Sequence, residues 1–188
     1  MYAYLELSEK QAFNPLGFCF AFKDLDGNPT NTALQQDAQE FLNFFFGRLE
    51  ELLKPTSQKY LLESVFGGKV CSQLICQSCG SIRNILESYY NLSVAVKDRK
   101  GLEDSLHKMI ESVIINGYKC ENCNMTVDVE KRQLIAEPPN VLIVHLQRII
   151  FNFDTFQNDK INTNFDFPNV LNLRDYSFKA VMTAEGHP

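Results

Sequence analysis

The stretch LICQSCGS, residues 74–81, sets Cys76 and Cys79 two residues apart with Gly80 directly behind them. Such a pair can grip a metal, trade electrons or pack as two thiols, and a second half-site decides among these. YKCENCNM, residues 118–125, supplies one, because Cys120 and Cys123 repeat the gap after forty intervening residues. Each pair precedes a residue that tolerates positive φ, Gly80 and Asn124, so the chain can fold back as a tight knuckle. Backbone N–H groups in such a turn point at sulfur and offset thiolate charge. Two knuckles brought together present four thiolates, the donor set of one structural zinc ion. The separation exceeds the usual zinc-ribbon range, and two strands plus a helix would fill it. A redox pair fits less well, because SIRNIL (81–86) reads extended and no helix follows Cys79. Two packed thiol pairs would need two identical gaps by chance. Four thiolates leave zinc no open position for water, so this site is expected to hold the fold. Cys71, on the strand before the first knuckle, and Cys19, among the aromatics of GFCFAF (17–22), read as inert core thiols.

Outward from the knuckles, apolar residues at three- and four-residue spacing predict a helix from about Ala33 to Leu53. Thr32 would cap its start and Pro55 forbids its continuation. A second helix is predicted from Leu102 to Ile115, preceded by Gly101 and ended by Asn116-Gly117. Alternation predicts strands over 89–96 and 126–135. VLIVHLQRII (141–150) is almost wholly apolar, as a strand buried on both faces would be. Phe165 and Phe167 alternate in a later strand. His145 reads as a hydrogen-bonded sheet histidine, His107 as a helical residue with no partner in view, and Arg148 as an anchor to a carboxylate. Helical first, mixed in the middle and sheet-rich last, the order is that of an α+β fold.

At 188 residues, 45% hydrophobic and 22% charged, the chain suits one large domain or a domain with a sub-lobe. No apolar run reaches the roughly eighteen residues of a membrane span. MYAYLELSEKQ lacks the marks of a signal peptide, so an intracellular setting, cytoplasmic or nuclear, with reduced thiols is expected. A net charge of −5 and only thin basic clusters, VKDRK (96–100) and EKR (130–132), argue against a nucleic-acid partner.

Four stretches carry a family resemblance. LQQDAQEFLNFFFGRLEELL (34–53) resembles the Gln-x-Asp-Ala-x-Glu-Phe helix of the ubiquitin-specific proteases. FGGKVCSQLICQSCGSIRNILESYYNLSVAV (66–96) is similar to their first zinc knuckle with its flanking strands. YKCENCNMTVDVEKRQLIAEPPNVLIVHLQRI (118–149) resembles their second knuckle and the Pro-Pro-x-Leu…Leu-x-Arg strand. KINTNFDFPNVLNL (160–173) is similar to the segment before the family's catalytic histidine. The likeness runs in family order over about residues 32–178, and the loop KDLDGNPTNT (23–32) points to the large, multi-region members.

The resemblance implies a papain-like cysteine protease with thumb, palm and zinc-tipped fingers, of which this chain is a fragment. Residues 1–58 would be a thumb-like remnant, 59–140 the knuckle-bearing fingers with one packed helix, and 141–188 a palm-like β region. It implies hydrolysis of the (iso)peptide bond after ubiquitin's C-terminal glycine, with ubiquitin or its conjugates as partner. Asp37, flanked by Gln35 and Gln36, would bind the arginine-bearing tail of ubiquitin; a plain acid at a helix N-terminus is the alternative. No Asn-x-Gly-x-Thr-Cys box occurs in residues 1–31. The nucleophile is therefore expected outside this chain, which would be inactive alone and could self-associate through uncovered apolar surface. After YSFKAV the chain reads MTAEGHP (182–188), where His187 is either the family's Gly-His histidine or a residue of a frayed tail. A non-catalytic ubiquitin-binding zinc module is the alternative function, and a zinc-ribbon nucleic-acid binder has the least support.

Overall fold

The computed structural model describes residues 6–9, 11–23, 27–29, 31 and 37–178. Each cysteine knuckle is the turn of a β-hairpin. β1 (Gly68–Cys76) runs into the first knuckle and returns as β2 (Ile82–Tyr89), with Ile75 opposite Ile82 and Gly68 opposite Tyr89. β4 (Val113–Lys119) runs into the second and returns as β5 (Thr126–Glu137), with Lys119 opposite Thr126. The hairpins join through antiparallel β1 and β5, from Cys76 opposite Val129 to Lys69 opposite Glu137. The sheet order is β2-β1-β5-β4, and this pairing puts both knuckles at one end.

The other end of the sheet rests on a hydrophobic core. Val70 of β1 and Ile135 of β5 pack there with Leu92 and Val94 of β3 (Asn91–Ala95), Val96, Phe165 and Tyr176. Leu106 completes the core from the helix Leu102–Ile110. β3 pairs in parallel with β6 (Ile143–Gln147), and β7 (Ile149–Asn152) forms a hairpin with β8 (Gln157–Lys160). Gly101 admits a close crossing just before the core helix. Leu102 N–H donates to Asp166 O at 2.8 Å, and a Cβ at position 101 would lie 2.5 Å from that same oxygen. The fold is mixed α and β, as the α+β expectation has it.

The chain divides into two compact units, 1–44 and 45–188. In the first, α1 (Leu16–Ala21) buries no residue, Phe18 stacks on Phe22, and Phe22 packs against Phe41 and Phe44. The helix α2 (Ala38–Leu53) begins in the first unit and ends in the second. In the second unit its Phe46 packs between Phe66 of α3 (Leu61–Phe66) and Tyr90, while the Tyr90 hydroxyl donates to the Glu50 carboxylate. The core helix Leu102–Ile110 is α4. Among the described residues no helix is long and apolar enough to cross a membrane.

Four local expectations change. The helix expected over 102–115 ends at Ile110, and Val113, Ile114 and Ile115 pair as a strand with Lys131, Glu130 and Val129. Three successive β-branched residues lose side-chain freedom in a helix and fit a pleated ladder. Asn116-Gly117 is accordingly a bulge in β4, with Gly117 at φ 74°, rather than a helix cap. The apolar run 141–150 breaks at Arg148 into β6 and β7, and β6 is half-buried rather than enclosed on both faces. Phe165 is buried and Phe167 exposed, as alternation requires, but the residue between them makes only an isolated bridge to Gly101. At the start of α2, the Thr32 cap lies outside the described residues, and Asp37 Oδ1 accepts the N–H groups of Gln39 (2.7 Å) and Glu40 (3.0 Å).

Candidate functional site

The two knuckles fold alike. Cys76 N–H donates to Ser81 O at 2.9 Å, and Cys120 N–H donates to Met125 O at 3.0 Å, closing each turn at the same offset. Gly80 (φ 69°) and Asn124 (φ 57°) take the left-handed conformation that the turn needs. The four sulfurs of Cys76, Cys79, Cys120 and Cys123 converge, all within 4.8 Å of one another. Sulfurs bound to one zinc ion at ~2.3 Å in a tetrahedron sit about 3.8 Å apart. Cys79 Sγ and Cys120 Sγ, from different knuckles, lie 3.8 Å apart. Four thiol donors at this spacing are compatible with a closed tetrahedral zinc site.

Sulfur electrostatics point the same way. Hydrogen bonds from the Ser81 side chain first, then from Asn122, bring the Cys79 thiol down to about 5. The Cys120 thiol is also lowered, chiefly by the Cys123 N–H. Cys123 moves oppositely, to about 11; the Met125 N–H lowers it, but burial and the sulfurs of Cys120, Cys79 and Cys76 outweigh that bond. Four sulfurs this close cannot all ionise unless a cation offsets their charge. Cys71 is fully buried on β1, and burial raises its thiol, as expected of an inert core residue. Cys19 is only half-buried, on α1.

Beside the cluster a groove of about 470 Å³ opens over Leu74, Ile82 and Val129. Arg83 of β2 reaches across it, donating to Tyr118 Oη at 3.4 Å and pairing with Glu121 of the second knuckle at 2.8 Å. The opposite edges of the sheet therefore meet above its face.

Of the other residues singled out from the sequence, Asp37 caps α2, its Oδ1 accepting from the N–H groups of Gln39 and Glu40. Gln35, Gln36 and His187 lie outside the described residues. His145 sits on β6 with its Nδ1 3.2 Å from Ser93 Oγ on β3. His107 has a partner after all, the Tyr176 ring, packed edge-on at 5.0 Å. Arg148 is an anchor, but to carbonyls rather than a carboxylate: its Nη1 donates to Ile161 O and Thr163 O, both at 3.0 Å. Irregular backbone leaves such carbonyls in need of donors. Sequence reasoning missed Ser81 and Asn122, which contact the sulfurs. The available signal was a side-chain donor one residue past the first knuckle and another inside the second.

The family model for ubiquitin carboxyl-terminal hydrolase matches residues 1–187. Ubiquitin carboxyl-terminal hydrolase 9X of Mus musculus is 34% identical over 99% of this chain, which spans 7% of that relative's length. Probable ubiquitin carboxyl-terminal hydrolase 16 of Schizosaccharomyces pombe is 30% identical over 88% of this chain and 38% of its own length. Among solved structures, a SAGA DUB module containing Ubp8, Sgf11, Sus1 and Sgf73, bound to monoubiquitin, matches with TM-score 0.69 and 26% identity. That match covers 77% of this chain and 34% of the solved one. The same module bound to ubiquitin aldehyde matches with TM-score 0.67 and 28% identity, over 76% of this chain and 33% of the solved one. With its paired knuckles and a match over nearly its whole length, the chain belongs to the ubiquitin carboxyl-terminal hydrolase family.

Proposed function

We propose that this chain is part of a thiol-dependent deubiquitinase that hydrolyses peptide and isopeptide bonds after the C-terminal glycine of ubiquitin. The observation that carries the reading is the family match over residues 1–187. In this chemistry a cysteine thiolate attacks the carbonyl, a histidine exchanges the proton, and an acid or amide orients the histidine. Residues 1–58 serve as thumb remnant, 59–140 as fingers and 141–188 as palm. Cys76, Cys79, Cys120 and Cys123 hold one structural zinc ion at the fingertip, a role supported by their convergence. Zinc so bound fixes the two hairpins to each other and takes no part in hydrolysis.

Ubiquitin or a ubiquitin conjugate is the partner, a reading supported by the ubiquitin-bound state of the similar SAGA module. Asp37, its carboxylate fixed by two backbone bonds, meets the arginine-bearing tail of ubiquitin together with Gln35 and Gln36. His187 is the candidate general base. The nucleophile comes from outside these 188 residues, since four cysteines form the cluster, Cys71 is buried and Cys19 has no activating partner in its sequence setting. The setting is intracellular, cytoplasmic or nuclear, where thiols stay reduced.

A ubiquitin C-terminal fluorogenic substrate tests the reading on this chain alone and on the longer protein that contains it. The longer protein is expected to turn the substrate over and this chain alone is not. Turnover by the isolated chain would overturn the placement of the nucleophile. Ubiquitin binding without turnover by the longer protein would favour a non-catalytic ubiquitin-binding zinc module, a reading to which the cysteine inventory already lends support. Equal ubiquitin affinity for wild type and Asp37→Arg would remove Asp37 from the interface.

A further inference from the structure

Among the four clustered cysteines Cys79 is the exposed one; Cys76 and Cys120 are buried and Cys123 is half-buried. It is also the sulfur that side chains of both knuckles approach. Ser81, just beyond the first knuckle, holds its Oγ 3.2 Å from Cys79 Sγ and 3.6 Å from Cys120 Sγ. Asn122, inside the second knuckle, donates from Nδ2 to Cys79 Sγ at 3.5 Å. We propose that Ser81 and Asn122 are positioning residues that cross-brace the two knuckles through Cys79 and slow the release of the bound metal ion. The inference rests on the zinc reading above.

A metal-bound thiolate has no proton to give, so toward it the Ser81 hydroxyl must be the donor. One O–H serves one sulfur at a time, and its two candidates, Cys79 and Cys120, belong to different knuckles. The Asn122 amide crosses in the opposite direction, from the second knuckle to the first. Four thiolates around a divalent ion leave a net charge of about −2, and donors around the ligands offset it. The exposed ligand is where water or a competing chelator first arrives. At Cys79 that approach is contested by two side chains whose hydrogen bonds also hold the sulfur in line. The Ser81 backbone also bonds the Cys79 sulfur, and Cys76 N–H closes the turn on the Ser81 carbonyl; Ser81→Ala leaves both bonds in place and so isolates the hydroxyl.

The test uses the whole chain loaded with zinc, with metal content by mass spectrometry and release followed by transfer to excess chromogenic chelator. Ser81→Ala and Asn122→Ala are expected to bind one equivalent and to release it about 10-fold faster each, the lower end of outer-shell effects. Ser81→Thr, which keeps the hydroxyl, is expected to restore the slow rate. In cobalt-substituted protein, loss of either donor should move the thiolate-to-metal charge-transfer band to lower energy, a change that a purely structural role would not produce. Wild-type release rates in both alanine variants at full metal content would overturn this inference and leave the zinc reading standing. Equal rates for Ser81→Thr and Ser81→Ala would remove the hydroxyl from it. Wild-type protein that neither carries nor takes up metal would overturn both.

Discussion

The four-stranded sheet is held in two different ways at its two ends. At the base, Leu106 and Val96 are 0% exposed and pack with Val70, Ile135, Leu92 and Phe165, so the sheet is anchored chiefly by burial. Toward the tip, apolar residues face solvent: Ile114 of β4 is 54% exposed and Met125, at the second knuckle, is 49% exposed. What converges at the tip is sulfur. Burial needs only water to act, whereas a thiolate cluster needs a cation to offset its charge. The base should therefore be stable under all conditions that favour folding, and the tip only when its site is filled.

The largest expected effect comes from emptying the site. Structural zinc contributes on the order of 10 kcal/mol in small domains that depend on it. Chelation, or Cys120→Ser, is expected to abolish amide protection at the knuckle ends of β1, β2, β4 and β5 while protection persists around Val94 and Leu106. Hydrogen exchange reads this directly, and equal loss at both ends would show one cooperative unit in place of two. The reverse experiment is Leu106→Ala, which opens a cavity at the base. It should cost about 3 kcal/mol in denaturant unfolding with metal content unchanged.

The smallest expected effect lies at the junction of α2 with the base. Burial, and then its bond to Glu50, push the Tyr90 hydroxyl up to about 12. The fold thus favours the neutral phenol, a stabilisation present below its ordinary value near 10 and lost as pH rises toward 12. Tyr90→Phe should cost about 1.5 kcal/mol at neutral pH. It should also remove that residue's share of the stability decline between about pH 10 and 12, which thermal melts across the window would reveal.

The tip was more legible in the sequence than the base. Four cysteines at two equal gaps, followed by Gly80 and Asn124, specify their turns through local chemistry, and no distant residue is needed to read them. The end of α4 was not legible, because Val113 continues the apolar period of Leu102, Leu106 and Met109. Only the ladder to β5 gives Val113, Ile114 and Ile115 their strand conformation. Arg148 shows the same limit. A buried-looking strand suggests a carboxylate partner, but the carbonyls of Ile161 and Thr163 that it serves become visible only once the backbone has been traced. Ser81 and Asn122 are ordinary polar residues until the second hairpin arrives beside the first.

Building each knuckle as a hairpin turn also orders the assembly of the finger. The chain from Cys76 to Cys79 closes a loop of a few residues, and so does that from Cys120 to Cys123, whereas Cys79 and Cys120 are 41 residues apart. Closing a flexible loop of that length carries a length-dependent entropy cost of about 3 kcal/mol. Each half-site can form with its own hairpin, on the microsecond scale of such turns. The whole site must wait until β1 finds β5. The slow search belongs to strand docking, and a metal ion bound by the four cysteines would serve as a latch that closes on two preformed halves.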